Sequence, residues 1–202
     1  MDYYHNLITD KSWKLLLNLR KKYRFILIGG WAVFLYTKAL KSKDIDLVIE
    51  HSELDKLKGA FDVTKNDRLK KYEAKTAGLD IDIYIPYFSD PGLPAEELKK
   101  YAINYEGFNV PKKEILAILK QKALIKRAGT VKGRKDLIDL FSLFTMPDFD
   151  WKKYMQVINQ YNLEADLKTA KEILSRTTVL EELDINVHKM AKLKKKILSK
   201  VK

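Results

Sequence analysis

The chain has 202 residues, with 39 lysines and arginines against 27 aspartates and glutamates, for a net charge of +12. That length bounds one ordinary domain, or one domain with a helical extension, and an apolar share of 46% excludes a disordered chain. There is no cysteine, so disulfides and thiolate metal sites are excluded, and the three histidines (His5, His51 and His188) stand too far apart for a zinc spacing.

Such a basic balance suits an anionic partner, a nucleotide or a nucleic acid, or else a solvated lysine surface. A divalent metal here would need carboxylate ligands, which points to magnesium or manganese. The longest apolar run, residues 25–36, is shorter than the roughly 20 residues of a membrane span. The opening MDYYHNLITDK has neither a charged n-region nor an apolar core. The expectation is a soluble, cytoplasmic protein without a membrane partner.

In chain order, Asp10 or Ser12 is a candidate cap for a first helix over 13–22, with Trp13, Leu16 and Leu17 on one face. Residues 24–28 read as a short buried strand, broken by Gly29 and Gly30, and 31–39 as a helix. Lys41, Ser42 and Lys43 form a polar turn before a strand over 44–50. Ser52 is expected to start a helix over 53–60, with a turn at Asn66 and Asp67. Two strands, 71–77 and 79–84, meet tightly at Gly78. SDPGLP is a loop, 95–101 a helix, and 104–110 remains ambiguous, with an extended form open.

From Pro111, a good first residue for a helix, the pattern turns helical. Helices are expected from Pro111 through KKEILAILKQKALIKR, then over 134–144, 151–161, 164–174 and 186–201, with Gly129 and Gly133 bracketing a basic link. The division expected is an α/β domain over 1–110 and a helical domain over 111–202.

Three features carry chemistry. A strand runs into Gly29-Gly30 at a helix start, where glycines admit a close ligand and free N–H groups favour phosphate. Asp44 and Asp46 lie two apart on the next strand and so share a face. LDIDIYIP then supplies Asp80 and Asp82, again sharing a face. Carboxylates on adjacent strands can hold divalent cations that clamp a transferring phosphoryl group.

LIGGWAVFLY, KSKDIDLVI and GLDIDIYIP, followed by ILKQKALIKR and KGRKDLIDLFSLF, together resemble the DNA polymerase beta-type nucleotidyltransferase superfamily over about residues 24–145. The likeness is to its small prokaryotic members, which include toxin–antitoxin nucleotidyltransferases. The resemblance implies an α+β fold, a mixed sheet flanked by helices, followed by a C-terminal helical bundle. It implies Asp44, Asp46 and Asp82 as catalytic metal ligands for magnesium or manganese, with Asp82 preferred to Asp80 as the third carboxylate. Gly29 and Gly30 would cradle the nucleotide phosphates, and Lys120 and Lys135 would face the triphosphate or the acceptor.

Two positions depart from the pattern. Trp31 stands where polymerising members often carry serine, leaving it to the core or to stacking near a base. Lys41 and Lys43 stand where small relatives often carry an arginine before the Asp-x-Asp; Lys43 is the nearer candidate for phosphate. The activity implied is transfer of a nucleoside monophosphate from an NTP to a hydroxyl on a protein, RNA or small molecule. The alternative is an idle binding module of the same fold, part of a toxin–antitoxin pair or a nucleic-acid binder acting through its basic surface. Self-association stays open.

Overall fold

The protein is described from a computed structural model covering residues 2–76 and 78–201, with the side chains of residues 2–6 left aside. The side chain of His5 and residue 77, the end of the strand expected over 71–77, therefore lie outside the described part. The chain divides into two compact units, Met1–Lys112 and Lys113–Lys202.

The first unit runs α1 (Asp2–Lys22), β1 (Ile26–Ile28), α2 (Gly29–Thr37), β2 (Ile45–Val48), α3 (His51–Lys58), β3 (Val63–Asn66), β4 (Lys71–Thr76) and β5 (Leu79–Tyr84). A 3-10 helix (Ala95–Tyr101) and the strands β6 (Ala102–Tyr105) and β7 (Phe108–Pro111) complete it. The main sheet has the order β1-β2-β5-β4-β3. Strands β2 and β5 are parallel, and the other neighbours are antiparallel. With helices and a mixed sheet in one unit and helices in the next, the fold is α+β.

Alternation decides which way each strand faces. Ile45 pairs with Ile81 and Leu47 with Ile83, and all four side chains are fully buried. The interleaved acids of β2 and β5 are consequently turned to the opposite face. Leu27 of β1 pairs with Leu47 and continues the apolar face.

Helix α1 begins well before residue 13, so neither Asp10 nor Ser12 caps it. Asp10 instead pairs with Lys41 at 2.9 Å. Ser12 is buried and accepts a hydrogen bond from the Trp31 indole at 2.9 Å. Strand β3 was not foreseen: VTKN is half-exposed on both faces at the sheet edge, so it lacks the apolar alternation that marks a strand. The ambiguous stretch near 104–110 is a hairpin. Glu106 and Gly107 both take positive φ, 48° and 77°, as a tight two-residue turn requires. Pro111 ends β7 rather than starting a helix.

The second unit comprises α4 (Lys113–Lys126), α5 (Val131–Phe144), α6 (Trp151–Gln160), α7 (Glu164–Arg176), a short 3-10 turn (Glu181–Leu183) and α8 (Val187–Lys200). Thr130, Asp150 and Asn186 cap α5, α6 and α8 by accepting backbone N–H bonds from the residue three positions on. The Thr130 cap starts α5 before residue 134 and draws Gly133 into the helix, not the link. A Cβ on Gly133 would stand 2.0 Å from the Arg127 carbonyl oxygen, so the close approach of the α4 end requires glycine there. Among the described residues no helix is long and apolar enough to cross a membrane.

Candidate active site

The backbone register assembles the carboxylates. Asp46 on β2 lies directly opposite Asp82 on the parallel β5, and Glu73 on β4 lies directly opposite Asp82 from the other side. Paired residues project to the same face, so three acids stand in a row across three adjacent strands. Each is half-buried.

Gly29 joins this row from β1. Ile28 pairs with Asp46, and the next residue starts α2. Gly29 has φ +68°, and a Cβ there would stand 2.0 Å from Asp46 Oδ2. Only glycine fits, for backbone conformation and for space. Helix α2 has no side-chain cap and no acid in its own first turn. The Asp46 carboxylate against its first residue therefore supplies, from another strand, the negative charge that a helix N-terminus favours. Gly29, expected to cradle phosphate, thus lies against the Asp46 carboxylate. Gly30 is buried.

Asp82 is held from β4. Lys71 Nζ lies 2.6 Å from Asp82 Oδ2 and 2.8 Å from Glu73 Oε1, with the lysine side chain only 12% exposed. Burial raises the Asp82 carboxyl above its ordinary value; the Lys71 ammonium opposes that shift, and the charges of Glu73 and Asp44 add to it. Lys71 itself is pushed above the usual lysine value: burial works against its charge, but the bonds to Asp82 and Glu73 outweigh burial.

Asp44 sits just before β2, close enough for its charge to act on Asp82. Among the described residues, however, no three carboxylate or imidazole groups stand as a ready-made metal chelate. The expected convergence of Asp44, Asp46 and Asp82 is therefore realised as a side-by-side pair with Asp44 nearby. The physical reason is that Asp46 packs against Gly29 and Lys71 draws Asp82 toward β4. Chelation by all three requires Asp82 to turn from the lysine. The donor set is all carboxylate oxygen, which suits magnesium or manganese. Asp80 pairs instead with Lys75, at the far end of β5 from Tyr84.

Of the other expected residues, Lys43 is exposed beside Asp44. Trp31 is 1% exposed. Its ring packs 4.9 Å from that of Trp13, and its N–H is bonded to Ser12. Such an indole is core, and it leaves the nucleotide-binding set. In the second unit, Lys120 is also buried, 2.6 Å from Asp139 Oδ2 and 3.2 Å from Asp136 Oδ1. Arg127 reaches Asp136 at 2.7 Å. Lys120 thus serves, with Asp136, Asp139 and Arg127, an ion cluster between α4 and α5. Lys135 is half-exposed, and its charge acts on Asp139.

Lys71 and Glu73 were missed by sequence reasoning. The signal was present: with KYEAKT and LDIDIY joined at Gly78, the hairpin register sets Glu73 opposite Asp82 and Lys75 opposite Asp80, and leaves Lys71 diagonal to Asp82.

No protein-family profile and no curated protein sequence matches the chain. Solved structures do. ANT(2")-Ia in complex with adenylyl-2"-tobramycin is 12% identical, with a TM-score of 0.54, over 78% of this chain and 98% of that one. JHP933 from Helicobacter pylori is 17% identical, with a TM-score of 0.51, over 95% and 94%. An antigenic nucleotidyltransferase-like protein from Paracoccidioides brasiliensis is 19% identical over 81% and 91%, with a TM-score of 0.44. At these identities the likeness is one of architecture, and the chain has the nucleotidyltransferase fold.

Proposed function

We propose that the protein is a metal-dependent nucleotidyltransferase. It moves a nucleoside monophosphate from an NTP to a hydroxyl of a protein, an RNA or a small molecule. The observation that carries this reading is the in-register pair Asp46–Asp82, with Gly29 at the α2 start packed against Asp46. A structure of the same fold, ANT(2")-Ia, holds an adenylylated tobramycin, which supports nucleotidyl transfer as the reaction class.

Asp44 and Asp46 would hold the magnesium or manganese ion, with Asp82 as a third carboxylate. Bound there, the ion supplies charge neutralisation for the triphosphate beside the acids. The acceptor oxygen forms its bond to the α-phosphorus as the bond to the bridging oxygen breaks and pyrophosphate leaves. Asp82 would take the hydroxyl proton, a role that its raised carboxyl pKa supports. Lys43 is exposed beside Asp44 and is suited to meet phosphate as a point charge.

The test is manganese- or magnesium-dependent transfer of label from NTP to a panel of protein, RNA and small-molecule acceptors. Asp46→Asn and Asp82→Asn are expected to lose at least about a hundredfold in rate. Equal labelling by wild type and both variants contradicts the reading.

A second reading is favoured by the Lys71–Asp82 bond, which satisfies the third carboxylate without a metal. On it, the protein is an idle module of the same fold that binds nucleic acid through its basic surface. Calorimetry with NTP and magnesium separates the two: heat that vanishes in Asp46→Asn supports the enzyme, and no heat supports the module.

A further inference from the structure

The β3–β4 edge of the main sheet gathers aromatic rings and cations outside the candidate active site. Lys65 on β3 pairs directly with Tyr72 on β4, and Tyr72 pairs with Ile83, whose side chain is buried on the apolar face. Lys65 and Tyr72 therefore project to the face opposite Asp82. Beside them the rings of Phe88 and Tyr72 lie 5.8 Å apart, centroid to centroid. Lys65 Nζ stands 4.7 Å and Lys70 Nζ 5.3 Å from the Phe88 centroid, and Lys58 Nζ stands 5.6 Å from that of Tyr72. Two of these lysines also meet acids: Lys65 reaches Asp67 at 2.8 Å and Lys58 reaches Asp55 at 3.8 Å. Arg68, Leu69 and Lys70, on the turn between β3 and β4, are all exposed.

Tyr87, next to Phe88, is 87% exposed, so burial does not account for its ring. Its φ is +61°, a left-handed backbone that glycine would adopt without strain. The turn that carries it is nonetheless fixed. Ile85 N–H donates to Ser89 Oγ, and Ser89 N–H to the Ile85 carbonyl, each at 3.1 Å. Tyr87 N–H donates to Glu96 Oε2 at 2.9 Å. The result is an outward aromatic ring on a braced turn, beside a ring clasped by lysines. Such a surface stacks an unpaired base on the aromatic face while ammonium groups meet the flanking phosphates. A duplex keeps its bases stacked on one another and offers the ring no face. Unpaired bases in loops and at ends are the normal targets of RNA recognition, and a net charge of +12 suits such a polyanion.

We propose that Tyr87, with Lys65 and Lys70 around Phe88, forms a binding surface for single-stranded RNA. Tyr87 stacks a base, and the two lysines, with Arg68 on the same turn, hold the backbone on either side of it. The proposal goes beyond the nucleotidyltransferase reading and does not depend on it, because this binding needs neither nucleotide nor metal.

The experiment is fluorescence anisotropy of the full chain with an end-labelled, unstructured RNA of about 12 nucleotides, without NTP or divalent cation. Circular dichroism confirms that each variant is folded. Tyr87→Ala is expected to weaken binding about fivefold or more, and Tyr87→Phe, which keeps the ring, to bind as wild type does. Lys65→Gln with Lys70→Gln is expected to weaken binding and to flatten the dependence of log Kd on log salt by about 1. Lys192→Gln with Lys195→Gln removes the same charge from exposed positions of α8 and is expected to leave the preference for single strand over duplex intact. Asp46→Asn is expected to bind the RNA as wild type does, which keeps this test separate from that of the catalytic reading. A folded Tyr87→Ala that binds as tightly as wild type overturns the proposal. So does tighter binding of duplex RNA, or of single-stranded DNA of the same sequence. An α8 double variant that loses as much affinity as the Lys65 and Lys70 double variant overturns it too, since the attraction would then belong to the whole surface. Absence of RNA binding by wild type overturns it outright.

Discussion

Two residues show how closely function and stability are joined in this sheet. Gly29 is fixed by a left-handed backbone and by the Asp46 carboxylate within the space of a Cβ. Gly29→Ala is expected to cost about 1–2 kcal/mol from the backbone alone, with a further loss as Asp46 is pushed aside. In a thermal melt that is a drop of roughly 2–8 °C for a chain of this size. An unchanged melting temperature would mean that the glycine is not under this constraint. Asp82 offers a pH test. Its folded-state carboxyl is raised, chiefly by burial, so the folded state binds its proton more tightly than the unfolded chain does. Folding is therefore favoured relative to neutral pH while the group stays protonated. That advantage is lost as pH rises from the ordinary value of 3.8 through the raised one. Measured without divalent cation, the difference in melting temperature between Asp82→Asn and wild type is expected to move in the variant's favour over that window. A difference that stays flat with pH contradicts the burial argument.

At the scale of elements, the helix pair α4–α5 is held by charge as well as by apolar packing. Lys120 sits between Asp136 and Asp139, and Asp139 is fully buried. Burial pushes the Asp139 carboxyl up, and Lys120 opposes it. Lys120→Leu removes the counter-charge and leaves buried carboxylates, at an expected cost of about 3–5 kcal/mol. Adding Asp139→Asn is expected to recover a large part of that loss in a urea melt. A double variant no more stable than Lys120→Leu would show that packing, not charge, is at issue. Elements also explain what the sequence revealed. The acids at Asp44, Asp46 and Asp82 were readable because period-two alternation with isoleucine and leucine is a local signal. The choice of Asp82 over Asp80 became a matter of register, since Asp82 pairs with Asp46 while Asp80 faces Lys75. Lys71 and Glu73 were passed over because their meaning lies in a neighbouring strand, and β3 because an exposed edge carries no apolar pattern. Trp31 misled in the other direction. Its place beside the glycine pair suggested a ligand contact, but its partners Ser12 and Trp13 lie on a helix that local sequence did not connect to it.

At the scale of the whole molecule, the net charge of +12 draws anions, while the site itself gathers carboxylates. On the proposed function, a triphosphate would meet Asp44, Asp46 and Asp82 as like charges, so binding beside them would require a cation. Lys71 answers for part of the charge on Asp82, and on the proposed reading a divalent ion would answer for the rest. This balance is the centre of the account, and anomalous diffraction from crystals grown with manganese and a non-hydrolysable NTP measures it most directly. The proposed function predicts a manganese peak within coordination distance of Asp44 and Asp46. No peak at these aspartates would contradict it.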